Sequence, residues 1–489
     1  MRHANTLLLA TSALLLFTCT QAPPHTEAVT TDPLYDRIDS FLLRSQETGF
    51  NGSVLVLRDG KALLDKGYGL RDRERNLPNT PATVHTIGSI TKQFTAAAIL
   101  KLEEQGKLSV NDLLGKYVPN VPADKKDITL HQLLTHSAGF PDAIGDDYEA
   151  IDRTAFLQRA MATPLMFRPG TDYRYTNVGY SILGAIVELV SGMGYEQFLH
   201  EHLLKPAGML HTGYKMPDWA SSEMAIGYAK DSTRWGTMLD HPWAADGPYW
   251  NLRCNGGILG TTHDMATWVD ALRTNKVLSA ASTTKLFTPY VEEGEGGGSH
   301  YGYGWAIFKT PRGTRLITHN GGNGIQFADV LWYADEGVTI VLMSNASMRG
   351  MQDIAWEVGH MIFDPHYQPE VARQPKALAG IPQGPMGDRM QAFSAIVASS
   401  GDEGNLKTWL QANLGPGFLN DMPMQQHLEV FKKLCSDIGA NTIASVEQAN
   451  AEEFMLHLVS TKDQGRYRVM MQLRPSDARI SGLGVEKEE

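Results

Sequence analysis

Residues 88–100 read GSITKQFTAAAIL, a short polar segment that runs directly into an apolar one. The apolar residues after Lys92 predict a buried helix over residues 93–105. Ser89 then lies where this helix starts, at the positive end of its dipole, and Lys92 lies three residues further on the same face. A lysine buried among apolar residues can be neutral enough to take the proton of a serine hydroxyl. Ser89 and Lys92 are therefore candidates for a nucleophile and its base.

Two further motifs support this pair, which is weak evidence when it stands alone. The Ser-x-x-Lys spacing also occurs at Ser282 and Lys285, where the simpler interpretation is a helix cap beside a solvated lysine. Tyr175 and Asn177, however, form Tyr-x-Asn, and residues 319–321 form His-x-Gly at the end of a strand-like run. Three motifs of this kind in one chain favour a serine hydrolase.

The three motifs resemble the sites of one enzyme family. Class C β-lactamases, D-alanyl-D-alanine carboxypeptidases, D-aminopeptidases and related carboxylesterases combine Ser-x-x-Lys, Tyr-x-Asn and Lys/His-x-Gly. Residues 128–139 (ITLHQLLTHSAG) are similar to the segment that lines the family's site, and residues 301–305 (YGYGW) to another of its landmarks. The resemblance covers about residues 35–360. It implies a β-lactamase-like antiparallel sheet that is flanked by helices and carries an all-helical insertion.

The order of the motifs separates them from similar triplets elsewhere in the chain. Tyr-x-Asn recurs at residues 249–251 and His-x-Gly at residues 211–213, but in the reverse order along the chain and without the flanking landmarks. Ser89, Tyr175 and His319 follow one another in the family's order. We therefore assign the predicted site to Ser89, Tyr175 and His319 and not to the similar triplets.

The resemblance implies a role for each residue around the nucleophile. Ser89 attacks the substrate carbonyl to form an acyl-enzyme, and Lys92 and Tyr175 share the proton transfers. A cationic Lys92 is expected to lower the pKa of Tyr175, so that Tyr175 protonates the leaving group and then activates the deacylating water. Asn177 is expected to hold Lys92 or the substrate amide by hydrogen bonds.

The end of the strand-like run supplies the rest of the predicted site. The backbone N–H groups of Ser89 and Gly322 would form the oxyanion hole, since Gly321 and Gly322 let the substrate approach the strand closely. His319 stands where the lactamases carry lysine and, being mostly neutral at pH 7, is expected to offer the substrate one directional hydrogen bond. A free carboxylate would thus be recognised poorly, which favours an ester or peptide over a β-lactam.

Two classes of function fit this resemblance. The first is hydrolysis of an ester or amide bond in a small-molecule or peptide substrate through an acyl-Ser89 intermediate. The alternative is a non-catalytic, penicillin-binding-like protein that senses a ligand. Ser89, Lys92 and Tyr175 together favour the enzyme, because a pure binder needs none of them as a set. The oligomeric state is left open by these residues.

Composition and the remaining motifs exclude other classes. The net charge is −11 and we find no concentrated basic face, so no nucleic-acid partner is predicted. His200 and His202 flank Glu201, but the chain lacks the spacings typical of zinc ligands, and both histidines fit a polar helix surface. The glycines at 296–298 lack the lysine and serine of a nucleotide-binding loop. We therefore predict neither a metal nor a cofactor.

The first residues are typical of an export signal, which we place at residues 1–22. A short basic start precedes an apolar run about half as long as the ~20 residues that span a bilayer. Residues 16–19 (LFTC) resemble a bacterial lipobox, in which Cys19 becomes the lipidated first residue, and cleavage near Ala22 is the alternative. We expect an exported protein that is periplasmic or anchored to the membrane as a lipoprotein.

The length of 489 residues exceeds what one core usually organises. We predict a serine hydrolase domain at residues 33–364, in which a first hairpin completes a sheet formed by strands from the later part of the domain. Prolines without periodicity predict a linker at residues 365–385. Helices followed by strands in residues 386–489 predict a small α+β domain of undefined role.

Overall fold

A computed structural model of the chain describes residues 32–219, 224–229, 233–294, 298–346, 348, 350–371, 376–399, 401–420, 422–449, 452–474 and 476–488. The predicted export signal, with Cys19, lies outside the described residues, and so do residues 372–375 of the predicted linker.

The α-helices of the described residues are α1 (Pro33–Glu47), α2 (Thr91–Glu104), α3 (Leu130–Leu134), α4 (Arg153–Ala162), α5 (Asn177–Ser191), α6 (Tyr195–Leu199), α7 (Lys205–Ala207), α8 (Thr262–Arg273), α9 (Ala280–Leu286), α10 (Met351–Phe363), α11 (Pro385–Val397), α12 (Glu403–Asn413), α13 (Pro416–Asn420) and α14 (Met424–Asp437). The strands are β1 (Gly52–Arg58), β2 (Lys61–Tyr68), β3 (Leu70–Asp72), β4 (Leu77–Pro78), β5 (His85–Thr86), β6 (Gly227–Tyr228), β7 (Arg234–Gly236), β8 (Leu259–Gly260), β9 (Val291–Glu292), β10 (Ser299–Tyr301), β11 (Ala306–Lys309), β12 (Arg315–Gly322), β13 (Phe327–Tyr333), β14 (Val338–Ser344), β15 (Lys376–Ala377), β16 (Asn441–Gln448), β17 (Glu453–Ser460), β18 (Arg466–Leu473) and β19 (Ile480–Glu488).

The main sheet has eight antiparallel strands in the order β2-β1-β14-β13-β12-β11-β10-β9. The first hairpin joins the sheet through β14, with Val54 opposite Leu342. Every residue of β14 is buried, because helices cover both faces of the sheet. Helices α1 and α10 pack on one face, and α2 and α8 belong to the core on the other. The predicted β-lactamase-like fold is confirmed.

Helix α2 lies in the centre of the larger core. Its side chains are buried on almost every side, and Phe94 stacks on Trp268 of α8 with 4.5 Å between the ring centroids. The helix begins at Thr91, two residues before the predicted start. Ser89 therefore lies in a separate 3-10 turn, Gly88–Ile90, and not in the α-helix itself. This turn sets Ser89 at the edge of the core, where it is partly exposed.

A second sheet of five antiparallel strands, β15-β16-β17-β18-β19, has its own core. Alternate residues of β17 and β18, such as Leu456 and Val469, are buried against α11, α12 and α14 through Phe393, Leu410 and Phe431. This arrangement confirms the α+β part of the predicted fold class.

No single helix of the described residues is long and apolar enough to cross a membrane. The bent pair Asn177–Ser191 and Tyr195–Ala207 passes the same test by length and composition, but α5 is a core helix with most of its residues buried.

Candidate active site

The end of β12 packs directly against the turn that carries Ser89. A Cβ atom on Gly321 would lie 2.3 Å from the Ser89 nitrogen and 2.2 Å from the Ile87 oxygen, and one on Gly88 would lie 2.4 Å from the Gly322 nitrogen. Real side chains do not reach such distances, so both contacts need glycine. The two backbones approach closely enough that Ser89 and Gly322 flank one small space.

Lys92 is fully buried beneath Ser89. Its Nζ lies 3.0 Å from Ser89 Oγ, 2.7 Å from Asn177 Oδ1 and 3.0 Å from the backbone oxygen of Asn255. Burial lowers the pKa of Lys92 well below its ordinary value, and the carboxylate of Asp147 opposes this shift. Lys92 is therefore predisposed to the neutral form.

The neighbours of Lys92 leave one direction for a lone pair when the amine is neutral. A neutral amine has two N–H groups and one lone pair, and the amide and backbone oxygens of Asn177 and Asn255 can only accept hydrogen bonds. The two N–H groups are thus donated to these oxygens. The lone pair remains for the hydroxyl proton of Ser89, which is the arrangement that a general base requires.

The two acceptor oxygens are themselves held in place. Asn177 is the first residue of α5, a helix capped by the Thr176 side chain, which accepts from Val178 N at 3.1 Å. The Asn255 side chain donates to Ser181 Oγ at 2.8 Å and to the Asn251 oxygen at 2.7 Å. Both acceptors of Lys92 are consequently held by hydrogen bonds of their own neighbours.

Tyr175 lies across the site from α2. Tyr175 lines the same pocket as Ser89 and interacts with it, and Lys92 Nζ is 4.7 Å from the centre of the Tyr175 ring. Burial raises the pKa of Tyr175 above its ordinary value; the interaction with Ser89 partly offsets this rise, and the charge of Glu293 adds to it. The prediction of a lowered Tyr175 pKa is wrong, because burial dominates the shift and raises the pKa. Tyr175 keeps its proton.

His136 supports the ring of Tyr175 from below. The two ring centroids are 4.4 Å apart, and His136 Nδ1 accepts a hydrogen bond from Thr176 N at 3.1 Å. Burial, followed by the charges of Lys92 and His319, lowers the pKa of His136 well below its ordinary value. The predicted site-lining segment at residues 128–139 thus contributes a neutral, buried ring to this position.

His319 is buried, and both of its nitrogens are engaged within the protein. Nδ1 lies 2.6 Å from the Asn320 oxygen, which can only accept, so Nδ1 carries the proton. Nε2 then accepts from the Tyr301 hydroxyl at 2.9 Å. Burial and the charge of Lys92 lower the pKa of His319 to about 3. The hydrogen bond to the Asn320 backbone acts in the opposite direction and is weaker. The prediction that His319 offers the substrate a hydrogen bond is therefore wrong, because its only N–H is already donated.

Ser89 and Gly322 lie between two pockets. The larger one, about 430 Å³, is lined by Tyr175, His319 and Glu293 and by the aromatic rings of Tyr301, Phe308 and Trp356. The smaller one, about 40 Å³, is lined by Asn177, Asn255, Asp147 and Tyr148, among others. A reacting group at Ser89 can therefore extend to either side.

The residues of the similar motifs at 211–213, 249–251 and 282–285 do not line either pocket beside Ser89. Lys285 pairs with Glu103 at 2.8 Å, so it is not available to Ser282. His200 and His202 lie in a π-helical turn, and the described residues contain no group of three potential metal ligands.

Three contributors were not predicted from the sequence. The contact from Asn255 is made by its backbone oxygen, which carries no side-chain signal in the sequence. Tyr301 belongs to the landmark at residues 301–305 but had no assigned role. Asp147 stands in a polar stretch without a motif.

Comparison with known proteins agrees with the fold. The profile of the family described as Beta-lactamase matches residues 44–358. A relative described as "Putative penicillin-binding protein PbpX" of Bacillus subtilis (strain 168) is 33% identical over 282 residues, which are 58% of this chain and 67% of that protein. "Protein flp" of Staphylococcus aureus (strain MW2) is 34% identical over 208 residues, 40% of this chain and 42% of that protein. The octameric penicillin-binding protein homologue from Pyrococcus abyssi shares the fold with a TM-score of 0.63 at 23% identity, over 93% of this chain and 96% of that one.

Proposed function

This chain belongs to the β-lactamase family of serine hydrolases, and we propose that it cleaves an ester or amide bond through an acyl-enzyme on Ser89. The observation that carries the proposal is the burial of Lys92, whose Nζ lies 3.0 Å from Ser89 Oγ and donates to two obligate acceptors, so that in the neutral form its lone pair is left for the Ser89 proton. A protein that only binds a ligand has no use for this arrangement, because keeping a buried lysine neutral costs folding free energy. The enzyme is therefore favoured over the ligand sensor.

The proposed acylation starts with transfer of the Ser89 hydroxyl proton to Lys92. Ser89 Oγ then attacks the carbonyl carbon, and the N–H groups of Ser89 and Gly322 stabilise the oxygen anion. Tyr175, which is protonated in the free protein, donates its proton to the leaving group as that bond breaks. The proton on Lys92 restores the Tyr175 hydroxyl. Water then hydrolyses the acyl-enzyme, with Lys92 again neutral and able to accept a proton.

The charges at the site favour an ester or a peptide over a β-lactam. None of the described residues that line the two pockets is lysine or arginine, and His319 is neutral. A substrate carboxylate would lack a charge-assisted hydrogen bond worth roughly 1.5–3 kcal/mol. The lack of lysine and arginine in the described lining of the two pockets, and not a hydrogen bond from His319, is thus the reason to expect an ester or a peptide as substrate.

A substrate panel tests the proposed activity. We expect the purified protein to hydrolyse a short-chain neutral ester with a kcat/KM at least about tenfold above that for a chromogenic cephalosporin, which corresponds to one missing charge-assisted bond. The Ser89→Ala variant is the control for background hydrolysis. Efficient turnover of the cephalosporin would contradict the preference, and no turnover of any ester or amide would contradict the enzyme.

The activity should depend on pH through Lys92. The base must be deprotonated to accept a proton, so kcat/KM should rise as the pH rises through the pKa of Lys92. Because burial lowers this pKa well below its ordinary value, we expect the rise to be centred well below the ~10.4 of a free lysine. Measuring kcat/KM for a stable ester between about pH 5 and pH 10 checks this. A rise centred near the ordinary lysine pKa would show that Lys92 is cationic in the free protein.

The glycine contact between β12 and Ser89 should be intolerant of a side chain. Gly321→Ala would place its Cβ atom on the backbone of Ile87 and Ser89, at 2.2 and 2.3 Å. We expect loss of about 10²–10³ in kcat, the effect of removing one oxyanion donor, because the strand must shift away. Gly322→Ala keeps its N–H group, and the nearest atoms to its Cβ would be Gln326 O at 3.0 Å and Phe327 Cδ2 at 3.5 Å. This matched variant should lose much less kcat. If thermal melting shows that both variants are folded and their losses in kcat are equal, the predicted contact is refuted.

A further inference from the structure

The larger pocket beside Ser89 combines aromatic rings with one carboxylate. Tyr175 and Tyr301 meet edge to face in its wall, with 6.2 Å between the ring centroids. Phe308 and Trp356 form a second edge-to-face pair, with centroids 5.4 Å apart. Glu293 is the one acidic residue of the described lining, which contains no lysine or arginine. Because the face of an aromatic ring is electron-rich, the rings and the carboxylate together favour a cation.

Glu293 lies near the reacting end of this pocket. Its Oε1 accepts a hydrogen bond from the Tyr173 hydroxyl at 2.9 Å. Its charge adds to the burial that raises the pKa of Tyr175. The side chain is half-buried, so a group that enters the pocket beside Tyr175 can reach the carboxylate.

The proposed chemistry decides which part of the substrate enters the larger pocket. The leaving group must receive its proton from Tyr175, and Tyr175 lines the larger pocket and not the smaller one. The leaving group therefore lies among the aromatic rings, and the acyl group extends into the smaller pocket. A volume of about 430 Å³ is within the ~300–1,000 Å³ of pockets that hold small molecules. A branched alcohol consequently has room there.

A neighbouring cavity carries the same sign of charge. This cavity of about 1010 Å³ also reaches Gly322, and its charged lining residues, as far as the structure describes them, are all carboxylates: Asp353, Glu357, Glu370 and Glu453. A cleft lined by one sign of charge raises the local concentration of ligands of the opposite sign. The approach to Ser89 is thus complementary to a cationic substrate.

We propose that the leaving group of the substrate carries an alkylated ammonium group, which Glu293 and the aromatic rings of the larger pocket bind, so that the chain hydrolyses esters of cationic alcohols. The inference rests on the proposed acyl-enzyme reaction at Ser89. The acyl group moves to Ser89 Oγ, the ester oxygen takes the Tyr175 proton and leaves as the alcohol, and water then releases the carboxylic acid. An alkylated ammonium group suits this lining, because its alkyl groups pack on the rings while one carboxylate balances its charge.

A pair of isosteric esters isolates the charge. Acetylcholine and 3,3-dimethylbutyl acetate share the acyl group and differ by a trimethylammonium group in place of a tert-butyl group. Each kcat/KM, measured in a pH-stat at neutral pH, is divided by the rate constant for hydroxide-catalysed hydrolysis of the same ester, which corrects for the reactivity of the leaving group. We expect the corrected value of the wild-type protein to be about ten- to thirtyfold higher for acetylcholine.

The variant Glu293→Gln should lower the kcat/KM for acetylcholine about tenfold more than that for 3,3-dimethylbutyl acetate. Glutamine removes the charge but keeps an oxygen that can accept from Tyr173. Glu292→Gln is the matched control, because Glu292 is the adjacent carboxylate, is exposed and does not line the larger pocket. This control should retain the wild-type ratio.

The outcomes separate the inference from the reaction on which it rests. A corrected wild-type ratio close to one, or an unchanged ratio in Glu293→Gln, would overturn cation recognition while leaving the hydrolase intact. An equal fall in Glu292→Gln would show that net charge and not contact with Glu293 sets the preference, and the inference is again wrong. Turnover of p-nitrophenyl acetate without turnover of either alkyl ester would also overturn it. The absence of turnover with all three esters would instead overturn the proposed reaction.

Discussion

Replacing Lys92 with methionine is expected to slow acylation of Ser89 by about 10³- to 10⁴-fold, which lies in the upper range for loss of a general base. Methionine is unbranched and apolar, so it fills the buried site of Lys92 without the amine. Tyr175→Phe should cause a loss of similar size for a substrate with a poor leaving group, since its hydroxyl contacts the same serine. Because the two groups act on one proton path, the double variant should be barely slower than either single variant.

The leaving group distinguishes the role of Lys92 from that of Tyr175. A p-nitrophenolate departs without protonation, so Tyr175→Phe should retain far more activity on a p-nitrophenyl ester than on an alkyl ester. Lys92→Met should be slow on both, because attack by Ser89 precedes departure. Single-turnover rates of the two esters provide the measurement. Strictly additive losses in the double variant, or the same dependence on the leaving group for both single variants, would contradict the shared path.

Ser89→Ala is expected to abolish turnover, with residual activity at the level of uncatalysed hydrolysis for substrates that require the acyl-enzyme. The fold should persist, because the Ser89 side chain caps no helix and is partly exposed. Ser282→Ala is the matched control, since Ser282 has the same Ser-x-x-Lys spacing but its lysine pairs with Glu103. Ester hydrolysis and thermal melting of both variants provide the measurement. Full activity in Ser89→Ala would refute the nucleophile.

The strands of the main sheet were predictable where local signals were strong. β13 and β14 are each a run of apolar and β-branched residues that ends at turn residues, which is the pattern that predicts a strand. Glycines weaken a strand, so the local sequence indicates an end of β12 near the His-x-Gly motif at residues 319–321, but pairing with β13 continues as far as Gly322 opposite Phe327. This extension, which brings Gly321 against Ser89, depends on the neighbouring strand and not on local sequence.

The candidate site was predictable in its members but not in its electrostatics. Short motifs identified Ser89, Lys92 and Tyr175, because the chemistry needs those residue types at that spacing. The directions of the Tyr175 and His319 shifts depend on burial and on partners distant in the chain, such as Tyr301 for His319. The predicted lowering of the Tyr175 pKa considered the charge of Lys92 but not the burial of the phenol, and the predicted substrate contact of His319 left out the partners of its two ring nitrogens.

The central claim is that Ser89 is the activated nucleophile, and the most direct measurement is the position of a fluorophosphonate adduct. Intact mass after reaction should show a single addition, and a tryptic digest should place it on residues 76–92, the peptide that contains Ser89, with residues 277–285 unmodified. The same reaction with Lys92→Met should be far slower. An adduct on residues 277–285, or undiminished labelling in Ser89→Ala, would contradict this account.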